Sequence, residues 1–307
     1  MSLLANQLLG QRGNQADEAG EPWSYDATLV GGAGPQGHSG DMLGAIAGDI
    51  IGSVHEFSRN EDLKFPLFAE RSCPTDDSLL TWAVAETILR GESDYKPRLV
   101  GMVSYYEKNG QLAPLSAAFG GGFLGWVYEG APGERNSFGN GSAMRVSPVA
   151  WAFDDLETVL EHATLSARPS HAHPEGIKGA QAVAAAIWAA RTYRNPAAVR
   201  AVAENFYGPL PELAEIRKTH AYNETCQGCV PECLAIAVGT ADYESAVRFA
   251  ASIRGDADTL AAITGSISQA LWGLPKAIRE QSLAITARCY PGMERTVAEF
   301  EARFGGF

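Results

Sequence analysis

The sequence predicts an all-α protein, and three observations support this. Apolar residues recur at three- and four-residue spacing in segments 78–89, 180–190 and 258–271, as on one face of a helix. Alanine, the strongest helix former, dominates the second of these segments. Alternation of apolar and polar residues, which is typical of half-buried strands, is nearly absent. No β-α-β rhythm and no internal repeat of about 20–50 residues is visible, so we expect a single helical domain.

The first part of the chain differs in composition from the rest. Gly, Gln, Asn and Pro recur in residues 1–40, and the segment 31–40 (GGAGPQGHSG) has the composition of a flexible junction. We therefore expect residues 1–40 to form a flexible N-terminal extension. Residues 41–307 are expected to form the helical domain.

Charge and hydropathy limit the classes of partner. Lys and Arg total 24 against 36 Asp and Glu, which gives a net charge of −12. Such a surface repels nucleic-acid backbones, and no basic run offsets it. No run approaches the roughly 18 apolar residues that a membrane span needs. The N-terminus does not show the pattern of an export signal. We expect a cytoplasmic protein that binds neither nucleic acid nor a membrane.

The first helical segment carries glycines at regular spacing. Gly44, Gly48 and Gly52 are four residues apart, which places them on one face of a helix. Because this spacing is helical, we interpret them as a close contact with another helix rather than as a phosphate loop. Glu56 follows this stretch. Its carboxylate is either a buried base or a solvated end residue.

Two acidic segments, PTDDS (74–78) and GDADT (255–259), each precede an amphipathic helix. Each joins two carboxylates to a threonine hydroxyl. Helix capping explains one such residue per helix, because a side-chain oxygen there accepts from free backbone N–H groups. Paired carboxylates in both segments exceed that need and would repel one another without a cation. Magnesium prefers such oxygen ligands, so capping and metal binding both remain open on the residues alone.

Two glycine-rich segments could contact a phosphate or a sugar. Gly120–Gly122 could expose consecutive backbone N–H groups to a phosphate, although a plain flexible loop is favoured on these residues alone. The segment 138–145 (FGNGSAMR) places glycines around Asn140 and Ser142. Small residues there would let a sugar or phosphate approach the backbone. A tight turn is the alternative.

Histidine and cysteine pairs raise the question of a transition-metal site. His171 and His173 form a His-x-His pair, but no third soft ligand is near in sequence, so hydrogen-bonding roles are favoured. Cys226, Cys229 and Cys233 could contribute to a zinc site with a nearby histidine. They also fall on one face of an apolar helical stretch, which favours packing as small apolar residues. Five cysteines without an export signal fit a reducing compartment.

Taken in order along the chain, these segments resemble the ADP-ribosylglycohydrolase family. The matching pieces span nearly all of residues 42–275 and make a specific set because they appear in the family's order. They are GAIAGDIIGSVHEF (44–57), PTDDSLLTWAVAETIL (74–89), SFGNGSAMRVSPVAW (137–151), SHAHPEGIKGAQA (170–182), CQGCVPE (226–232) and GDADTLAAITGSI (255–267). One departure is Arg254, which stands where the family commonly has glycine and would crowd or charge the rim of the pocket.

The resemblance implies a compact, largely orthogonal helix bundle with a central metal-binding cleft. It implies two Mg²⁺ ions, which Mn²⁺ could replace. The implied metal ligands are Thr75, Asp76, Asp77, Asp256, Asp258 and Thr259. Catalytic roles fall on Glu56, Asp77 and Asp256. The implied contacts with ADP-ribose are Gly120, Gly121, Gly122, Asn140, Gly141, Ser142 and His171.

The activity that the resemblance implies is magnesium-dependent hydrolysis of the glycosidic bond between ADP-ribose and an acceptor. The substrate would be an ADP-ribosylated protein or a small ADP-ribose adduct, with ADP-ribosyl-arginine favoured. Two alternatives remain. One is a metal-dependent phosphohydrolase, because paired magnesium ions also suit phosphoryl transfer. The other is a non-catalytic ADP-ribose-binding protein of the same fold, against which the intact set of carboxylates argues.

Overall fold

Helices form nearly all regular structure in the computed structural model, which describes residues 41–56, 61–109 and 119–305. Within these ranges the fold is all-α, which confirms the prediction, and only isolated β-bridges accompany the helices. The helices are α1 (Leu43–Gly52), α2 (Asp76–Leu89), α3 (Lys96–Asn109), α4 (Gly121–Tyr128), α5 (Gly141–Met144), α6 (Ser147–Ala152), α7 (Leu156–Ala167), α8 (Pro174–Tyr193), α9 (Pro196–Tyr207), α10 (Leu213–Thr219), α11 (Cys226–Gly239), α12 (Tyr243–Ala250), α13 (Ala257–Trp272), α14 (Lys276–Cys289) and α15 (Met293–Phe304). The expected extension, residues 1–40, lies outside the described residues, so the boundary at residue 41 stays a prediction.

Helices α1 and α13 form the buried centre. Every residue of α1 is buried, and so is every residue of α13 from Ala257 to Leu271. A Cβ atom on Gly48 would lie 2.1 Å from the carbonyl oxygen of Ala261, and one on Gly52 would lie 2.3 Å from that of Ala257. The glycines therefore allow backbone-to-backbone contact, which confirms their interpretation as a helix contact. This contact brings the acidic start of α13 beside the end of α1.

Helix α8 is the alanine-rich segment that the sequence predicts, and it packs against α7, α9, α11 and α13. Its small side chains let four helices approach one axis, and each alanine also favours the helix itself. In α11, Cys226, Cys229 and Cys233 are fully buried and free. The interpretation of these cysteines as packing residues is confirmed. None of them belongs to a group of potential metal ligands in the described part of the chain.

Helix α2 begins at Asp76, and its N-terminal end faces the same side of the bundle as that of α13. Thr75 is the N-cap, since its hydroxyl accepts from the backbone N–H of Asp77 (3.4 Å). Capping and acidic clustering therefore occur together at this helix end. No helix within the described ranges has the length and apolar character needed to cross a bilayer.

Candidate active site

A cavity of about 410 Å³ opens where the N-terminal ends of α2 and α13 meet the segment that follows α1. Its volume is in the range of small-molecule sites. The lining includes every site residue that the resemblance implies except Ser142. The hydroxyl of Ser142 donates to the carbonyl oxygen of Gly176 (2.7 Å), and the side chain is fully buried. Ser142 therefore supports the wall from behind and does not line the cavity.

Carboxylates from three chain segments converge on one side of this cavity. They form two groups, in each of which one oxygen per residue lies within 4.8 Å of the others. The first group is Asp49, Asp77 and Asp258, and the second is Glu56, Asp256 and Asp258. Asp258 belongs to both groups, so the two groups adjoin. The acidic segments, about 180 positions apart in sequence, thus meet in space.

Both threonine hydroxyls contact the same aspartate, and that of Thr259 joins the two acidic segments directly. Thr75 Oγ1 lies 3.2 Å from Asp77 Oδ2, and Thr259 Oγ1 donates to the same Asp77 oxygen at 3.2 Å. Asp76 is in neither carboxylate group, although it lines the cavity together with both threonines. Burial and the charge of Asp49 nevertheless hold the pKa of Asp76 well above its usual range.

Asp49 is a central member of the site that the sequence patterns did not identify. It is fully buried in the middle of α1 and accepts from the backbone N–H (2.9 Å) and hydroxyl (2.8 Å) of Thr75. It also accepts from the N–H (3.1 Å) and hydroxyl of Ser78. Asp49 therefore holds the first turn of α2 in place from outside that helix. The sequence signal that could have identified Asp49 is that it is a single aspartate within an otherwise apolar helix.

The electrostatics of the carboxylates fit a divalent cation. Burial, together with the charges of neighbouring carboxylates, raises the pKa of Asp77 and Asp258 well above the usual range. Burial raises the pKa of Asp49 to about 6, and burial followed by the charge of Asp256 raises that of Glu56 to about 7. Asp77 Oδ1 is buried without any hydrogen-bond partner. A buried anionic oxygen of this kind is satisfied by a hard cation.

The cavity lining also includes a cation that the sequence patterns missed. Arg135 lines the cavity and lies against Gly122, where a Cβ atom would be only 2.1 Å from the guanidinium Nη2. Gly121 and Gly122 are the first residues of α4, so the flexible-loop interpretation of the glycine run is wrong. The reason is that Phe123 and Leu124 donate to the carbonyl of Gly120 and close a helical turn. The positive helix end and Arg135 together suit an anion.

Asn140 and His171 connect the acidic side of the cavity to the rest of its wall. Asn140 Nδ2 donates to Asp256 Oδ2 (2.6 Å), which fixes the orientation of that carboxylate. His171 is buried, and its Nδ1 lies 2.8 Å from the hydroxyl of Ser170. Burial, and next the charge of Arg145, holds the pKa of His171 well below its usual range, so the ring is neutral. The favoured hydrogen-bonding role of His171 is confirmed.

The remaining members of the predicted histidine and glycine patterns have structural partners. His173 Nδ1 accepts from the backbone N–H of Glu175 (3.1 Å) and caps α8. Gly141 borders the ring of His171, because a Cβ atom there would lie 3.1 Å from the ring atoms. The cap by His173 and the contact of Gly141 with His171 both depend on where the backbone lies in the folded chain.

The rim of the cavity is formed by the segments before α11 and α13. Arg254 has a φ of 76° and Gly255 a φ of 87°, a left-handed conformation that favours glycine. This conformation is a physical reason for glycine to be favoured at position 254, where this chain has arginine. The Arg254 side chain is exposed, pairs with Glu61 and is not among the residues that line the cavity, so its expected effect on the rim stays a prediction. Tyr222 and Glu224, which line the opening, hydrogen-bond to each other and were not predicted.

Magnesium is expected to stabilise the protein more at pH 8 than at pH 5. The raised pKa values of Asp49 and Glu56 mean that the folded state binds protons more tightly than the unfolded state. Their stabilising contribution is complete below the unfolded pKa of about 4 and is lost as the pH rises through about 6 to 7. A cation replaces those protons at pH 8. We expect saturating Mg²⁺ to raise the melting temperature by roughly 5–10 °C at pH 8.

Differential scanning fluorimetry with EDTA or Mg²⁺ at both pH values measures this difference. Potassium chloride at matched ionic strength controls for screening of surface charges. An equal shift at pH 5 and pH 8 would contradict the prediction, because protons would then not compete with the cation for these carboxylates.

Comparison with known proteins gives a family match over most of the chain. Residues 39–304 match the family model described as ADP-ribosylglycohydrolase. The chain is 25% identical over 262 residues to the ADP-ribosylarginine hydrolase Tri1 of Pseudomonas putida (strain GB-1). That alignment covers 76% of this chain and 70% of the relative.

Two further proteins are similar over a shorter region or at a lower identity. The chain is 28% identical over 184 residues to ADP-ribosylhydrolase ARH3 of Bos taurus, and the alignment covers 48% of each protein. The matched region thus spans about half the length of that relative. A solved structure described as an ADP-ribosylglycohydrolase-related protein complex aligns with a TM-score of 0.59 and 23% identity, over 86% of this chain and 95% of the other. At that identity the likeness concerns the fold alone.

Proposed function

The chain belongs to the ADP-ribosylglycohydrolase family, and from this premise we propose that it is a magnesium-dependent hydrolase that releases ADP-ribose from an ADP-ribosylated arginine. The observation that carries the proposal is the pair of carboxylate groups sharing Asp258, in a cavity that Arg135 also lines. A ligand that carries both a diphosphate and a ribose matches a cavity lined by an arginine and by clustered carboxylates. The acidic side faces the ribose, and the arginine faces the diphosphate.

The residues that would hold two ions are the aspartates of the two carboxylate groups, with Thr75, Asp76 and Thr259 beside them. Bound magnesium would supply stabilisation of negative charge and a more acidic water. Manganese is an alternative with similar ligand preferences. This assignment rests on the orphaned Asp77 Oδ1 and on the raised pKa values of the buried carboxylates.

The protein side chains have separate tasks in the proposed reaction. Glycosidic cleavage builds positive charge at C1 of the ribose, which the carboxylates of the acidic side stabilise. Glu56 is half-buried, and its raised pKa of about 7 suits a group that accepts a proton from the attacking water. Asp77 and Asp256 complete the catalytic set, and the amide of Asn140 orients Asp256. Neutral His171 borders the sugar side without adding charge.

The diphosphate is proposed to lie between Arg135 and the start of α4. There the guanidinium lies against Gly122, and both line the cavity together with Gly121, the first residue of the helix. Gly120 and Gly141 keep the adjoining wall free of side chains. These residues form the proposed substrate-binding surface, and Ser142 acts only through its support of the wall.

Two observations favour arginine as the acceptor. The Pseudomonas relative is named as an ADP-ribosylarginine hydrolase. In addition, Glu224 lies at the cavity opening, held by Tyr222, where burial and the charge of Asp256 raise its pKa. A carboxylate whose charge is disfavoured in this way gains from a neighbouring cation such as a guanidinium. A serine-linked substrate offers no such charge. A cytoplasmic location and the lack of nucleic-acid or membrane partners stay predictions from composition.

The wild-type protein is expected to release free ADP-ribose from an ADP-ribosyl-arginine peptide faster than from an ADP-ribosyl-serine peptide. The Glu224→Gln variant should lose about tenfold in kcat/KM for the arginine substrate only, because one charge-assisted contact is removed. Chromatographic product analysis with Mg²⁺ measures both effects. The matched control is Glu129→Gln, which makes the same change on an exposed residue outside the cavity lining.

Three other outcomes would each overturn a defined part of the proposal. Release of AMP or phosphate would support the alternative metal-dependent phosphohydrolase. Calorimetric binding of ADP-ribose without turnover of any substrate would support the non-catalytic binder. An equal loss on both peptides in Glu224→Gln would remove the assigned role of that residue while leaving the hydrolase in place.

A further inference from the structure

A buried chain of hydrogen bonds runs from Arg145 through Ser170 to the ring of His171. The guanidinium Nη2 of Arg145 donates to the hydroxyl oxygen of Ser170 (2.9 Å) and to the carbonyl oxygen of Ser166 (2.9 Å). The Ser170 oxygen in turn lies 2.8 Å from Nδ1 of His171. Arg145 and Ser170 are fully buried, and His171 is nearly so. Bulk water therefore does not compete for these bonds.

The arginine fixes the direction of this hydrogen-bond chain. A guanidinium has only donors, and burial lowers the pKa of Arg145 to about 10, so it stays charged at neutral pH. The Ser170 oxygen must therefore accept from it. The Ser170 hydroxyl has one hydrogen to donate, and Nδ1 of His171 is its only other hydrogen-bond partner in the described part of the chain. Because a buried hydroxyl hydrogen without an acceptor is unfavourable, Ser170 donates to Nδ1.

The same bond decides which ring nitrogen of His171 carries the hydrogen. Since Nδ1 accepts, it has no hydrogen of its own. Burial, and next the charge of Arg145, keeps the ring neutral, so its single N–H is at Nε2. Nε2 adjoins two glycines of the cavity lining, because a Cβ atom on Gly141 would lie 3.1 Å from it and one on Gly139 would lie 3.5 Å from it. Glycine at both positions keeps side chains away from this nitrogen.

We propose that Arg145 and Ser170 are positioning residues that hold His171 in its Nε2–H form and make it a fixed hydrogen-bond donor to the ligand in the cavity. Its partner is an oxygen acceptor of the ligand, and a phosphate oxygen and a ribose hydroxyl both have this chemistry. A ring with its hydrogen at Nδ1 would present a lone pair to that oxygen and repel it. The identity of the ligand as ADP-ribose rests on the proposed function, whereas the hydrogen-bond chain does not.

Nitrogen-15 NMR of the full-length protein with labelled histidines tests the tautomer without any ligand. Correlations between ring hydrogens and ring nitrogens distinguish a protonated nitrogen from an unprotonated one. The His171→Gln variant identifies the His171 signals by their loss. We expect wild-type His171 at pH 7 to carry its hydrogen at Nε2 and to have an unprotonated, hydrogen-bonded Nδ1. A hydrogen at Nδ1, alone or together with one at Nε2, would overturn the proposal.

The Ser170→Ala variant removes the hydroxyl between Arg145 and the ring. The Nδ1 signal of His171 should leave its hydrogen-bonded position, and the hydrogen should be distributed over both nitrogens. Ser170→Thr keeps a hydroxyl and should restore the wild-type spectrum. The matched control is Ser266→Ala, which removes a buried hydroxyl of α13 that donates to the carbonyl of Ile263 (2.7 Å) and should change nothing. An unaltered His171 spectrum in Ser170→Ala would contradict the role of the hydroxyl.

Calorimetry with Mg²⁺ present measures the consequence for binding. Ser170→Ala should bind ADP-ribose about three- to tenfold more weakly than the wild type and Ser266→Ala, which is the loss expected for one neutral hydrogen bond. ADP is titrated in parallel because it lacks the distal ribose. A loss for both ligands assigns the acceptor to a phosphate, and a loss for ADP-ribose alone assigns it to that ribose.

Unchanged affinity of Ser170→Ala for both ligands would overturn the donor role of His171. Failure of the wild type to bind either ligand would instead count against the proposed function. The NMR result on the hydrogen-bond chain would stand in that case, because it needs no ligand.

Discussion

Hydrolysis of ADP-ribosyl-arginine is expected to fall by about 1,000-fold in the Asp258→Asn variant, equal to several kcal/mol of transition-state stabilisation. Asp258 is the residue that both carboxylate groups share, so one substitution removes a charge from each. Asparagine keeps the size of the side chain and can still accept from the backbone N–H of Thr259, as Asp258 does at 3.0 Å. Steady-state kinetics with Mg²⁺ measures the loss.

The stability of the metal-free variant distinguishes a loss of catalysis from a loss of activity through unfolding. Removing one of several mutually repelling buried charges should raise its melting temperature in EDTA at pH 8 above that of the metal-free wild type. The shift on adding Mg²⁺ should shrink at the same time. Asp155→Asn makes the same chemical change at the exposed N-cap of α7 and should alter neither quantity. Full activity in Asp258→Asn would refute the shared metal site.

The Glu56→Gln variant is expected to lose about 100- to 10,000-fold in kcat, in the range of a removed general base. Glu56 accepts a proton only when ionised, so wild-type activity should rise with pH through its pKa. Burial and the charge of Asp256 place that pKa at about 7 without a cation, and a bound cation lowers it by offsetting the repulsion. The ascending limb of the pH profile should therefore lie below pH 7, and the variant should lack it.

The measurement is the pH dependence of kcat/KM, together with calorimetric binding of ADP-ribose in the presence of Mg²⁺. Affinity for ADP-ribose should change little, because the product carries no bond to be broken. Glu70→Gln, an exposed residue outside the cavity lining, is the matched control and should keep the wild-type profile. If Glu56→Gln retained the ascending limb, another group would have to act as the base.

Local patterns in the sequence predict many of the helices of this protein, because each pattern describes the residues of a single helix. The spacing of Gly44, Gly48 and Gly52 predicts a helix with a bare face, and this face does meet α13. The alanine-rich segment predicts the central α8. The acidic segments before α2 and α13 indicate oxygen ligands at two helix starts, and the ordered set of motifs indicates the family.

What the sequence by itself determined is therefore the helical class, the family and the residue types available for chemistry, since these depend on local spacing and on the order of motifs along the chain. Only the tertiary structure decided which carboxylates share a site. Asp49 joins Asp258 because α1 and α13 are in backbone contact, and Arg135 faces the cavity because Gly122 leaves room for it. Such contacts join residues far apart in the chain, and local spacing contains no information about their distance.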